Sequence, residues 1–236
     1  MPPRLRVAVV GGGGELARLL GSAGHDTFPV TTPEDIAAAE LVLLDRDDCG
    51  WVSGGVDTLA PFVAPRQMFI HTALASGAQL LDAAETRGAI VMAAHNIFGN
   101  HWVTDAADEL GESVIGLLIA EIGGVSHPVA EAARPVIAAA LRLAALERAV
   151  RRDSFELLRS ALPDADAFAG AYAEADPPEL SHADPGYLER LYRAVDQPGV
   201  ARLLADLERR NAQRLGDAEV ELWAMSLTEK GLRDGI

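Results

Sequence analysis

The first 129 residues alternate between short apolar runs and stretches with helical periodicity. Residues 5–10 (Leu-Arg-Val-Ala-Val-Val) stop at Gly11, and their length and valine content predict a strand buried on both faces. Residues 15–23 place Leu16, Leu19 and Leu20 at helical spacing, with Gly24 as the stop. Further strands are predicted at 27–30, 39–44, 67–71 and 89–94. Between the last two, residues 77–87 carry Leu80, Leu81 and Ala84 on one helical face. Residues 109–122 predict another helix, with Val114, Leu117, Leu118 and Ile122 inward and Gly123-Gly124 ending it. A sixth strand is predicted at 125–129, at an edge where Pro128 is tolerated. Strand, helix and strand at this spacing imply parallel pairing through right-handed crossovers.

After residue 129 the strand signal disappears. Residues 138–150 are rich in Ala and Leu at helical period, in a helix predicted to start near Pro135. Later helical stretches, including 200–207 and 220–227, are separated by breaks at Pro163, Pro177-Pro178, Pro185-Gly186 and Pro198-Gly199. The polar, proline-rich segment 173–185 predicts a surface loop. The fold class is therefore α/β over residues 1–129, followed by an all-helical domain over 130–236.

An apolar fraction of 49% supplies a sizeable core. Twenty Lys and Arg against 35 Asp and Glu give a net charge of -15, a field that repels phosphate backbones and anionic lipid. Nucleic acid and membrane surfaces are thereby disfavoured, while a small anion can still be held at a helix N-terminus. The single cysteine, Cys49, excludes an internal disulfide or a multi-cysteine zinc cluster. It is a poor nucleophile beside Asp47 and Asp48. No apolar run reaches the roughly 18 residues of a spanning helix. A glycine run stands where a secretory signal would have its apolar stretch, so a cytoplasmic protein is expected.

Gly11, Gly12, Gly13 and Gly14 join the first strand to the first helix. Counted from Gly12, the residues Gly12, Gly14 and Ala17 satisfy the dinucleotide fingerprint in its G-x-G-x-x-A form. Glycines let the backbone approach a pyrophosphate, and the helix supplies free N–H groups and a partial positive charge. The alternative is a turn that only packs a helix on a sheet. On the first reading, Gly14→Ala blocks the pyrophosphate and leaves the fold intact. No Lys-Ser or Lys-Thr follows, which excludes a P-loop. Thr31 and Thr32 stand where the second strand normally offers an acid to the ribose. They either bind ribose or cap a helix before Glu34 and Asp35. The other strand ends carry Asp45-Arg46, His71-Thr72 and His95-Asn96. Asp45, Arg46 and Thr72 join the glycines and threonines as cofactor-binding candidates. His71 and His95 are the acid–base candidates, the alternative for each being a histidine that satisfies loop backbone. His95, His101 and Asp105 match no usual helical metal-ligand spacing, and no metal is expected.

The run from Arg6 to Gly14, followed by Ala23-Gly24-His25-Asp26, resembles the opening of the 6-phosphogluconate dehydrogenase-like proteins. Residues 39–44 are similar to their third strand. Phe69-Ile70-His71-Thr72-Ala73 resembles a His-Thr-Ser segment in a poorly characterised branch of that superfamily, related in layout to pyrroline-carboxylate reductases. Leu110-Gly111-Glu112, Glu121-Ile122-Gly123-Gly124 and Arg134-Pro135 are similar to that branch too. The resemblance implies a Rossmann-like, mostly parallel sheet with a C-terminal helical dimerisation and substrate domain. It implies NAD or NADP as cofactor, oxidoreduction of a small molecule, and a homodimer.

Three features depart from the relatives. The segment between the glycines and Ala23 is about one helical turn shorter. Asp45-Arg46 replaces small apolar residues beside the cofactor. The helix over 136–147 lacks the relatives' His and Asn. A non-catalytic nucleotide-binding or structural homodimer is therefore the second reading, with little or no turnover expected. An S-adenosylmethionine-dependent methyltransferase comes last, for want of a second-strand acid. The helix from Pro135 is apolar around most of its circumference, which predicts a symmetric homodimer with this helix near the two-fold axis; the alternative is a monomer whose later helices wrap it completely.

Overall fold

The computed structural model describes residues 4–162, 164, 167, 169–172 and 183–233. The chain divides into two compact units, Met1–Pro135 and Val136–Ile236. The first unit runs β1 (Arg6–Val10), α1 (Glu15–Ala23), β2 (Asp26–Pro29), β3 (Leu41–Leu44), α2 (Cys49–Leu59) and β4 (Met68–His71). It continues through α3 (Asp82–Glu85), β5 (Ile90–Phe98), β6 (His101–Ala106), α4 (Glu109–Glu121) and β7 (Val125–Pro128). The seven strands lie in the order β2-β1-β3-β4-β5-β6-β7. All neighbours are parallel except β5 and β6. Helices cover both faces of the middle strands, so every residue of β3 is fully buried. Leu16 and Leu20 of α1 pack on Val7, Leu41, Leu43 and Ile70 in the main core. Each such side chain contributes about 1.5–3 kcal/mol by leaving water.

Several predicted elements change on folding. Helix α2 carries Gly50, Ser53, Gly54 and Gly55, which hide its period in the sequence. Val52, Val56 and Leu59 form its buried face, and Asp48 caps it by accepting from the Trp51 N–H at 2.9 Å. The helix expected over 77–87 is a 3-10 turn, Ala78–Leu81, followed by the single turn α3. Strand β5 runs on to Phe98, and Gly99 at φ +55 turns it into antiparallel β6. That strand is polar at His101, Thr104 and Asp105, so periodicity concealed it, yet Trp102, Val103 and Thr104 are buried. In α4 the buried face is Gly111, Ile115, Leu118 and Ile119, whereas Leu117 is 71% exposed. Val114 and Ile122 pack against the same core, so of the four residues expected to face inward only Leu117 turns outward. His25 follows the αL stop of α1 at Gly24, accepts from the Leu5 N–H at 3.1 Å and lies 3.3 Å from Glu121. The Ala-Gly-His motif thus fastens the start of β1 to the end of α4.

The second unit contains the length of α5 (Arg134–Ala161) beyond Pro135, then α6 (Ala169–Tyr172), α7 (Pro185–Ala194), α8 (Pro198–Leu215) and α9 (Ala218–Arg233). Helix α5 extends well past residue 150, where its expected stretch ends. Pro185 and Pro198 begin helices, and Asp184 caps α7 by accepting from the Tyr187 N–H at 2.8 Å. Pro163, Pro177-Pro178 and most of the loop expected at 173–185 lie outside the described residues. Among the described residues, no helix is long and apolar enough to cross a membrane.

The second unit holds a buried ion pair. Arg142 of α5 makes a bidentate contact with Glu208 of α8, one arm of it at 3.0 Å, and Glu208 is 1% exposed. Removing one partner strands a buried charge, which costs about 3–5 kcal/mol. Arg142→Met is therefore expected to lower the urea unfolding free energy by about 3 kcal/mol. The double variant Arg142→Met/Glu208→Leu should recover most of that loss. Equal losses in both variants would contradict the pairing.

Candidate functional site at the carboxyl edge of the sheet

Strand β1 leaves the sheet through Gly11, Gly12 and Gly13 at φ +98, +98 and +80, angles closed to most side chains. Nothing lies within 4 Å of the Cβ positions of Gly12 and Gly13, so the turn is open there. Gly11 has a second reason to be glycine. A Cβ on it would stand 2.7 Å from the ring of Trp51, which packs against the turn. The Arg46 guanidinium lies over that ring, 5.6 Å from its centroid.

Gly14 is the N-cap of α1 and offers no capping side chain. The cap comes from the end of β3, the strand paired with β1 in the sheet. Asp45 follows β3, and its Oδ2 accepts from the Ala17 N–H at 3.2 Å. Its other oxygen accepts from the Thr72 hydroxyl at 3.3 Å. A Cβ on Gly14 would stand 2.7–2.9 Å from the Asp45 carboxylate atoms. A methyl group at Gly14 therefore meets the Asp45 carboxylate before any ligand and pushes that side chain off the N-terminus of α1.

Two clefts flank the turn. One, of about 310 Å³, lies between α1 and β2 and is lined by Gly12, Gly13, Arg18 and Pro29. The other, of about 240 Å³, gathers Gly14, Asp45, Arg46, Asp47, Thr72, His95 and Asn96. Among the sequence candidates, the structure thus brings Gly14, Asp45, Arg46, Thr72 and His95 to one place. The His95 Nδ1 lies 2.6 Å from the Thr72 carbonyl oxygen. A carbonyl only accepts, so Nδ1 carries the proton and Nε2 is the basic atom of the neutral ring.

His71 lines neither cleft. It is fully buried, its Nε2 donates to the Gly77 carbonyl at 2.8 Å, and its Nδ1 accepts from the Ala73 N–H at 3.1 Å. It organises a buried loop after β4 that other side chains also hold. Leu74 N–H donates to Asp47 at 2.8 Å and Ala78 N–H to Asp105 at 2.9 Å. Gly77 N–H donates to Glu131, and Arg134 to the Leu74 carbonyl at 3.1 Å. A Cβ on Gly77 would fall on the carboxylates of Asp105 and Glu131. Burial lowers the pKa of Arg134, against the pull of those two acids.

Thr31 and Thr32 lie at the end of β2 in a capping box rather than free. The Asp35 carboxylate accepts from both of their N–H groups and from the Thr31 hydroxyl, each at 2.8 Å. These bonds lower its pKa to about 2. Asp35 therefore brings an ionised acid to the end of β2, where the fingerprint asks for one. Its sequence signal is the Thr32-x-x-Asp35 capping pattern. Trp51 and Arg18 gave no comparable signal. His101 pairs with His127 at 2.9 Å, and Asp105 serves the loop. Among the described residues, no group of three or more His, Cys, Asp or Glu is placed to hold a metal.

Residues 130–227 match the family described as 6-phosphogluconate dehydrogenase C-terminal domain-like. Among solved structures, the chain is similar to Mycobacterium tuberculosis 3-hydroxyisobutyrate dehydrogenase with L-serine, at TM-score 0.62 and 14% identity, over 95% of this chain and 99% of that one. It is similar to Salmonella typhimurium 3-hydroxyisobutyrate dehydrogenase at TM-score 0.58 and 13% identity, over 98% and 95%. Plasmodium falciparum pyrroline carboxylate reductase with NADP bound gives TM-score 0.50 and 10% identity, over 94% and 96%. Over most of its length the chain shares the fold of these dehydrogenases and this reductase. No curated protein matches it.

Within this fold, the state of His71 can be read from stability. Burial pushes its pKa from 6.5 down to about 4. The unfolded chain takes up the proton first as pH falls, so the His71 contribution is intact above about 6.5 and is lost toward about 4. The unfolding free energy should drop by about 2 kcal/mol between pH 7 and pH 5 from this group. His71→Gln should flatten that part of the profile. Equal slopes in the two proteins would show that His71 is not held neutral.

Proposed function

We propose that this chain binds a nicotinamide dinucleotide, NAD or NADP, along the carboxyl edge of its sheet and acts as an oxidoreductase on a small molecule in the cytoplasm. The open Gly12-Gly13 turn between two clefts carries the reading. Free N–H groups at a glycine turn and a helix N-terminus suit a pyrophosphate. On this reading Gly12, Gly13 and Gly14 hold the pyrophosphate, and Arg18 and Asp35 flank the ribose end. Bound nicotinamide supplies the hydride chemistry. His95, oriented by the Thr72 carbonyl, gives or takes the proton at Nε2. The dehydrogenase and reductase neighbours, one of them with NADP bound, support the reading.

The second reading, a non-catalytic nucleotide-binding or structural homodimer, is favoured by Asp45 on the N-terminus of α1 and by the absence of His and Asn over 136–147. Calorimetry with NAD and NADP, followed by turnover assays on small hydroxy acids and amino acids, separates the two. On the first reading one cofactor binds, and His95→Ala lowers turnover by about 100-fold or more while binding persists. Binding without turnover establishes the second. Absence of binding up to millimolar cofactor removes both nucleotide readings.

We also infer a symmetric homodimer built on the residues after 129. Val136, Leu203 and Leu222 are 46%, 51% and 66% exposed in the single chain. Sedimentation equilibrium at micromolar concentration should give twice the chain mass of 24.9 kDa. Leu141→Asp should abolish the dimer, with Arg152→Asp as the unaffected control. A single-chain mass for the unmutated protein would overturn the inference.

A further inference from the structure

The Asp45 carboxylate stands where an incoming anion would be held. Its Oδ2 takes the Ala17 N–H, an otherwise unpartnered donor in the first turn of α1. Its Oδ1 is steadied by the Thr72 hydroxyl at 3.3 Å, and its own N–H donates to the Val10 carbonyl at 3.1 Å. Gly14 leaves just the room this carboxylate needs. An anion at a helix N-terminus is stabilised by the partial positive charge there, and two anions cannot share that charge at close range.

We propose that Asp45 is a built-in competitor of the pyrophosphate: it caps α1 in the free protein and must swing off Ala17 before a dinucleotide can bind. This rests on the dinucleotide reading above. The backbone of Asp45 stays tied to β1, so only side-chain rotation is required. That rotation releases the Thr72 hydroxyl, while the Thr72 carbonyl continues to orient His95. Asp45 thereby sets the affinity of the site and selects for ligands whose phosphate groups bind strongly enough to displace it. Arg46 does not relieve the conflict, since its guanidinium lies over Trp51 and 3.8 Å from Asp48.

The test is calorimetric titration of the full chain and two variants with NAD, ADP and adenosine. Asp45→Asn keeps an acceptor for Ala17 but removes the charge, and Thr72→Val loosens the tether while leaving Asp45 in place. Charged hydrogen bonds of this kind are worth enough that Asp45→Asn should tighten NAD and ADP about tenfold or more. Adenosine, which has no phosphate, should bind all three proteins alike. Thr72→Val should shift NAD in the same direction by a smaller factor, which keeps the proposal testable if Asp45→Asn does not fold. Unchanged NAD affinity in a folded Asp45→Asn protein, or an equal gain for adenosine, overturns the competition and leaves the dinucleotide reading standing. No binding of NAD or ADP by any of the three proteins overturns that reading and this proposal together.

Discussion

The middle of the sheet admits nothing polar, and the arrangement of the first unit follows from that constraint. β3 is buried along its whole length, and Val7, Ala8, Phe69 and Ile70 in the neighbouring strands are equally enclosed. Polar side chains appear only where these strands run out. Parallel pairing brings those endings to a common edge, so Gly11, Asp45 and Thr72 converge although they are distant in sequence. Hydrophobic enclosure therefore decides where chemistry can occur before any single residue decides what it is.

The loop after β4 shows how the fold handles the opposite problem, backbone that is buried outside a sheet. Ala73, Leu74 and Ala75 are almost wholly enclosed, so their neighbouring N–H and carbonyl groups need partners. Asp47, Asp105, Glu131, His71 and Arg134 supply them. Each is a residue type that a motif search would assign to catalysis. Here the acids accept from backbone, and the charge of Arg134 is attracted to two of them, Asp105 and Glu131. A histidine with both ring nitrogens occupied and its pKa pushed down to about 4 cannot exchange protons at neutral pH. His95 differs in two respects: its Nδ1 is held by a backbone carbonyl, and the residue lines a cleft.

Elements whose residues obey one period were readable in the sequence. β1, α1, β3, β4, α4 and β7 appear within a few residues of their expected places. α2 was not readable because its glycines weaken the period, and its stability comes from the Asp48 cap and from Val52 and Val56 against the sheet. β6 was not readable because a strand paired on both sides can carry His101 and Asp105 as long as its middle is buried. The glycine turn was visible as a motif, whereas the reason for each glycine was not. Gly11 yields to Trp51, Gly14 to Asp45, and only Gly12 and Gly13 face open space. Those distinctions depend on side chains that arrive from α2 and β3, which no local pattern contains.

A fingerprint motif thus carries two meanings that physics keeps apart. Close approach to a glycine requires only that something occupies the space a side chain would fill. A pyrophosphate does so in a dinucleotide site, and an aromatic ring or a carboxylate of the same chain does so equally well. At Gly14 the occupant is a carboxylate, with the same charge sign and the same acceptor chemistry as a phosphate oxygen, bound to the same helix N-terminus. The free chain therefore satisfies its own anion site, and α1 gains a cap that its N-terminal glycine could not provide. A helix whose N-terminal glycine offers no cap thus has one of its first-turn N–H groups, that of Ala17, satisfied by its own chain. Affinity for any dinucleotide is then a difference between two well-made contacts, and the short side chain at position 45 determines its size.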